Sequence, residues 1–196
     1  MEYMLQNGVE IEARNREGVT AVHLDVRQIY MEIFDLFIEH DVNMDMEDEK
    51  ERTPLFYAVE YGQLEKVNAL LKQGARVNHR DCHGMTPLFM IFKKILTHRY
   101  EGNNLYSPDH IRKIEITGML IKFEANVNQQ TSKGGVTPLH LAGTRGYDEI
   151  VTVLLENRVN VNLKDEKGRY VVQYCRYARQ DDDLPAGYEK DRMKCG

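Results

Sequence analysis

Tryptophan is absent from the 196-residue chain, and mean hydropathy is −0.55. One large apolar core is therefore not the expected outcome, although 42% hydrophobic residues suffice for one or two ordinary domains. Cysteine is scarce and odd in number. Cys82, Cys175 and Cys195 follow no framework spacing, which points to a reducing compartment rather than a disulfide scaffold. No apolar run approaches membrane-spanning length, and the start MEYMLQNGVEIEARN has neither a basic leader nor an apolar core. Membrane insertion and secretion are not expected; the cytoplasm is, with the nucleus as the other reading. A net charge of −5 and a pI near 5.8 give no global attraction for nucleic acid or anionic lipid, leaving room only for a local basic face.

Signatures of chemistry are missing too. The sequence has no phosphate-cradling glycine loop, no HExxH, no GxSxG and no paired CxxC. His79, Cys82 and His83 are close enough in sequence to supply three zinc ligands, but a fourth is lacking. Asp181, Asp182 and Asp183 lack the alternating ligands and glycine of a calcium loop. Cys195 has no nearby base to activate it. No catalytic residue, metal or cofactor is assigned, and residues 179–196 read as a flexible acidic and polar tail.

What is present is repetition. TAVH begins at Thr20, TPLF at Thr53, TPLF at Thr86, TPLH at Thr137, and a worn copy, YVVQ, at Tyr170. The intervals are 33, 33, 51 and 33 residues, and self-similarity at a fixed period outranks local propensity as a guide to architecture. The flanks keep step, with turns VNMD at Val42, GARVN at Gly74, ANVN at Ala125 and VNVN at Val159.

Each unit has a physical reading. Thr caps a helix with its hydroxyl, Pro takes the first helical position where no amide donor is needed, and Leu turns inward. In PLFYAVEYG the short helix ends at Gly62, whose missing side chain permits a left-handed closing turn. A second helix follows in LEKVNALLKQG, with Leu64, Val67, Leu70 and Leu71 on one face. ARVNHRDCHGM is then an extended arm that turns at Asp81 to Gly84. One helix pair cannot bury its apolar stripe alone, so neighbours stack into a solenoid.

TPLH at Thr137, Gly146, VTVLLEN at Val151 and the 33-residue period resemble the ankyrin repeat family over roughly residues 1–178. The resemblance implies an all-α ankyrin-repeat solenoid of stacked helix-turn-helix units with projecting β-hairpin arms, about four full repeats with partial repeats at both ends. The units are a partial 1–14, repeats 15–47, 48–80, 81–130 with an insertion at about 97–113, and 131–164, then a C-terminal cap at 165–178. On this reading His23 and His140 brace helix starts and are not catalytic bases.

Departures from the pattern also carry information. The small Ala of the first helix, present as Ala58 and Ala142, is Asp25 in the first complete unit and Ile91 in the third. The closing Gly is replaced by Ile29 and Ile95, so the first unit is expected to have displaced or fused helices. The third unit carries 17 extra residues, and one more precedes Thr137. PLFMIFKKILTHRY reads as a lengthened first helix, EGNNLY as a loop, and Ser107-Pro108-Asp109 as the start of a second helix running from about His110 to Phe123. At the ragged start, Tyr3, Met4 and Leu5 expose apolar surface, because their unit lacks its partner helix. The missing half belongs either to a longer ankyrin protein or to another chain.

Function must then come from surface. The resemblance implies partner binding through arm turns and the exposed side of first helices, which line a concave groove. The matching positions include Arg27, Arg52, Glu60, Tyr61, Met85, Lys93, Lys94, Lys133 and Arg145. With Arg16, Glu17, Gln28, Glu49, Lys50, Cys82, His83 and Thr144 they form a set carrying eight Lys or Arg against three Glu. A basic groove suits an acidic or phosphorylated segment of a partner protein, as for a signalling regulator or adaptor. RNA or a phosphorylated small ligand is the alternative, and only Tyr61 suits base stacking. The resemblance further implies that Asn78, Asn128 and Asn162 occupy the place used by asparaginyl hydroxylases.

Overall fold

The computed structural model of the chain describes residues 10–92 and 108–173. In chain order its helices are α1 (Ala21–Asp25), α2 (Glu32–Glu39), α3 (Pro54–Glu60), α4 (Leu64–Lys72), a 3-10 helix (Pro87–Phe92), α5 (Pro108–Lys122), α6 (Pro138–Arg145) and α7 (Asp148–Glu156). No strand occurs among the described residues, and the projecting arms are tight turns. First helices stack on first helices: α1 on α3, α3 on the 3-10 helix, and the 3-10 helix on α6. Second helices do the same, α4 on α5 and α5 on α7. One apolar cluster follows this stack from Val22 to Leu154, so the core is a ribbon shared between neighbours rather than a central nucleus.

Local chemistry sets where helices begin and end. Thr20, Thr53 and Thr137 are extended residues at the starts of α1, α3 and α6, and Pro54 and Pro138 open the latter two. Gly62 and Gly146 close α3 and α6 with φ of 66° in both cases, a left-handed geometry costly for any residue with a Cβ. The first unit has Ile29 at that place. Its helices stay separate rather than fused, but α1 stops after five residues and the connection to α2 lengthens. Residues 26–31 include no positive φ, so the chain turns by right-handed steps that need more residues.

In the third unit, residues 87–92 form a 3-10 helix, not the start of the lengthened α-helix that the sequence suggests. All six side chains, PLFMIF, are buried. With α3, α5 and α6 packed around it, the segment has no solvent face, and its winding follows its neighbours rather than an amphipathic period. The remainder of the expected long helix, the loop EGNNLY and Ser107 lie outside the described residues. α5 begins at Pro108 and ends at Lys122, close to the expected second helix.

Asp25, the first unit's departure from Ala, has a structural explanation. Lys66 of α4 reaches across from the next unit and places its Nζ 2.8 Å from Asp25 Oδ2 and 2.5 Å from the Asp25 carbonyl. Its Nζ also lies 5.5 Å from the centre of the Phe34 ring. Lys66 is only 1% exposed, and burial of either charge alone is prohibitive, so the two residues require each other.

Candidate functional site

The arms that border the groove are built on one repeated device. Asn15, Asp48, Asp81 and Asp165 each turn a side-chain oxygen back onto the amides two and four residues ahead, at 2.7–2.9 Å. These acceptors replace backbone partners in the turn and hold the tip in one shape. In the fourth arm Thr131 takes the role, accepting from Val136 N at 3.1 Å. That arm is one residue longer and passes through Gly134 and Gly135 with φ of 90° and 60°. Gln130 ties it down by donating to the Gly135 and Lys164 carbonyls at 2.7 and 2.9 Å.

Neighbouring arms are linked by a ladder of single backbone bonds. Glu49 N donates to Glu17 O, Cys82 N to Lys50 O, Ser132 N to His83 O, and Glu166 N to Gly134 O, at 2.9–3.1 Å. Gly84 is required here, since a Cβ would fall 2.8 Å from Ser132 N. A second ladder runs along the ends of the second helices. Asn126 N donates to Asn78 Oδ1 at 2.6 Å, and Asn160 N to Asn128 Oδ1 at 2.7 Å. Asn78 and Asn128 thus commit their side chains to the join between units, whereas Asn162 is exposed in the last one.

The helix starts tie into the same frame. Thr137 Oγ1 lies 2.7 Å from His140 Nδ1, and His140 Nε2 lies 3.3 Å from the Arg169 carbonyl in the next arm. His23 repeats the arrangement with Thr20 Oγ1 at 2.9 Å and the Arg52 carbonyl at 3.0 Å. Burial pushes both imidazoles below their ordinary pKa, although the carbonyl contacts work in the opposite sense. Both ring nitrogens are engaged within the frame. In the second unit Phe56 replaces the histidine, and Thr53 Oγ1 is buried without a hydrogen-bond partner.

The predicted groove residues divide into distinct settings. Arg27 is exposed and its guanidinium carbon lies 5.0 Å from the centre of the Tyr61 ring, so these two come together. Arg52 instead places Nε 3.2 Å from Asp81 Oδ2, whose side chain is fully buried, and joins two arms. Glu60 and Met85 are half-buried, and Lys133 is exposed at the tip of the fourth arm. Arg145 ends α6 half-buried, with Nε screened from solvent and without a hydrogen-bond partner. Lys93 and Lys94 lie outside the described residues.

The trio considered for zinc is otherwise occupied. His79 Nε2 is 2.8 Å from the Glu51 carbonyl, and His83 Nδ1 is 3.2 Å from Cys82 Sγ. Cys82 is in a disulfide, contrary to the expectation of unpaired thiols; Cys175 and Cys195 both lie outside the described residues. Sequence reasoning missed a polar cluster beside the insertion. His110 Nε2 meets Glu149 Oε2 at 3.0 Å, and Lys113 Nζ meets Tyr147 Oη at 3.3 Å. Hydrogen bonds from its own backbone amide and from His110 hold the Glu149 carboxyl below its ordinary range. The inserted segment erased the register that could have paired these residues in advance.

Residues 1–81 match the family profile described as ankyrin repeats (3 copies), and residues 120–175 match that of ankyrin repeats (many copies). Among similar proteins, ankyrin repeat protein L371 of Acanthamoeba polyphaga mimivirus is 24% identical over 83% of this chain and 20% of its own length. Ankyrin repeat protein FPV230 of fowlpox virus is 31% identical over 62% of this chain and 72% of its own. The mouse B-cell lymphoma 3 protein homolog is 40% identical over 41% of this chain and 18% of its own. The chain thus spans about a fifth of the mimivirus and mouse relatives. No helix among the described residues is long and apolar enough to cross a membrane. With registered units, helix pairs stacked in sequence order and these matches, the chain belongs to the ankyrin-repeat family.

Proposed function

We propose that this chain is a non-catalytic protein-interaction module whose groove grips an acidic or phosphorylated segment of a partner protein, as a signalling regulator or adaptor does. Ankyrin repeats generally mediate protein–protein interaction, and the finer reading comes from the chemistry of the groove. The observation that carries it is Arg145, whose Nε is buried with no acceptor in reach. A donor left in that state costs about 1–3 kcal/mol. A carboxylate or phosphate from a partner relieves that cost once the half-buried side chain turns outward, because the planar guanidinium fork offers parallel donors to such a group. Arg27 on Tyr61 adds a flat, cation-bearing contact, and Lys133 adds charge at an arm tip. Arg52 contributes indirectly by holding two arms through Asp81.

Titration of the full chain with acidic and phosphorylated peptide arrays tests the reading. Phosphorylated and acidic peptides are expected to bind more tightly at low salt, with R145Q weakening the best of them by about tenfold to a hundredfold. Affinity that R145Q and R27Q leave unchanged would sink it. Tight binding of RNA at moderate salt in place of the peptides would move the groove to the nucleic-acid reading.

A further inference from the structure

Serine is rare in this chain: Ser107 and Ser132 are the two copies, and Ser107 lies outside the described residues. Among the described serines and threonines, Ser132 and Thr152 are the exposed ones. Thr152 sits on α7 and donates to the Asp148 carbonyl one turn back at 3.0 Å. Ser132 instead stands at the tip of the fourth arm, presented by a projecting turn rather than a helix flank. Its neighbour Thr131 is half-buried, with its hydroxyl donating to the Lys133 carbonyl at 2.8 Å.

The surroundings of Ser132 suit an anion that the side chain itself does not carry. Ser132 N donates to the His83 carbonyl, which fixes its backbone against the third arm. Arg80 of that arm is exposed and brings Nη2 to 3.3 Å from Ser132 Oγ. Gly84 leaves room for the meeting, since a Cβ there would fall 2.2 Å from Ser132 Oγ and 2.6 Å from Arg80 Nη2. The repeat register sets Arg80 apart. Of its counterparts, Arg14 donates to the Glu47 carbonyl, Glu47 pairs with Arg76, Gln130 ties two carbonyls and Lys164 lies over the Tyr170 ring. Arg80 makes no ion pair among the described residues, and its guanidinium is aimed at a neutral hydroxyl. Local charge is positive. Lys133 is exposed beside Ser132, Asp81 and Asp165 of the adjoining arms are buried and paired with Arg52 and Arg169, and Glu166 is followed directly by Lys167.

We infer that Ser132 is a phosphorylation site whose phosphate is clasped by Arg80 and Lys133, stapling the fourth arm to the third. A serine kinase carries out the transfer from ATP. Ser132 Oγ bonds to the γ-phosphorus as the bond from that phosphorus to its bridging oxygen breaks, ADP leaves, and the hydroxyl proton passes to the kinase's base. The product brings about two negative charges and three acceptor oxygens to a place where the guanidinium now meets a neutral group. At the border of the groove it reverses the local sign, so binding of an acidic segment falls; this consequence, unlike the clasp, rests on the groove reading above.

The test uses the full chain with phosphoserine encoded at residue 132, beside the unmodified protein and the R80Q form of each. Phosphorus NMR is expected to show the second phosphate ionisation below its ordinary value of about 6 in the modified chain and closer to that value in R80Q. Exchange of the Ser132 amide is expected to slow by severalfold. A panel of purified serine kinases with ATP is expected to label Ser132 in the folded chain, as located by mass spectrometry. Acidic peptides that bind the unmodified chain at low salt are expected to bind the modified one about tenfold or more weakly. A phosphate titration that R80Q leaves unmoved would overturn the clasp, and labelling of Ser132 only after denaturation would overturn the modification site. Equal peptide affinity for both forms would overturn the effect on the groove. An Arg80-dependent titration in a chain that binds no acidic peptide at all would uphold the clasp and sink the groove reading instead.

Discussion

A lysine with almost no exposed surface is tolerable only where an opposite charge is buried with it, and Asp25 supplies that charge for Lys66. The pair has little net stabilising value relative to an apolar pair of the same shape, but each member alone is costly. K66M is therefore expected to lower unfolding free energy by about 3–5 kcal/mol, because it leaves the Asp25 carboxylate buried. The double variant D25A/K66M is expected to recover most of that loss, and urea denaturation of the four-protein cycle measures the coupling. A double-variant cost equal to the sum of the two single-variant costs would show the residues to be independent. The sequence marks Asp25 as anomalous, since Ala58 and Ala142 stand at the same place and the third unit has the apolar Ile91. It does not reveal Lys66, because the repeat period relates equivalent positions and says nothing about which non-equivalent positions touch across a join. The same limit hides the tie between Arg52 and Asp81, so a cation assigned to the groove by register turns out to bind its own neighbouring arm.

The helix starts at Thr20 and Thr137 are where sequence and structure agree closely, since Thr, Pro and His act over three or four residues. The expected cap from the Thr53 hydroxyl is not made, because Phe56 stands in place of the histidine. The histidines also give these elements a pH dependence. His23 and His140 are fully buried and have folded pKa values below 6.5, chiefly from loss of hydration. Below the unfolded pKa the unfolded chain takes up protons that the folded chain refuses, so stability is present above about pH 6.5 and declines as pH falls through that value. Each imidazole is expected to remove on the order of 1 kcal/mol per pH unit below that point until its folded pKa is reached. Urea midpoints at about pH 7.5 and pH 5.5 measure this, and H23N/H140N is expected to be weaker overall but less pH-sensitive. An undiminished pH response in the double variant would place the effect elsewhere. The segment from Pro87 to Phe92 was legible as an element but not as a 3-10 helix, because a run with no polar residue contains no period from which winding can be read.

At the scale of the whole molecule, the helix contacts among the described residues run from each unit to the next, both through stacked helices and through the ladder of arm amides. Stability in such a stack is a sum over units and joins. Units flanked on both sides should therefore open last. Native-state amide exchange is expected to be slowest in α3, α4 and the 3-10 helix, and faster in α1 and α7, the first and last of the described helices. Uniform protection throughout would instead indicate one indivisible cooperative block. The period and the helix pairs made this architecture readable in advance, while the exposure of Leu24 and Ile33 became visible only when equivalent positions could be compared.

The fourth arm has a consequence for how such molecules change. Its added residue is absorbed by Gly134 and Gly135, while Gln130 keeps hold of Lys164 and the amide of Glu166 still finds Gly134. The protruding loop has therefore grown without transmitting any offset to the neighbouring column of helices. Recognition tips can be remodelled in length while the load-carrying part remains in step, so altered specificity does not require a new scaffold.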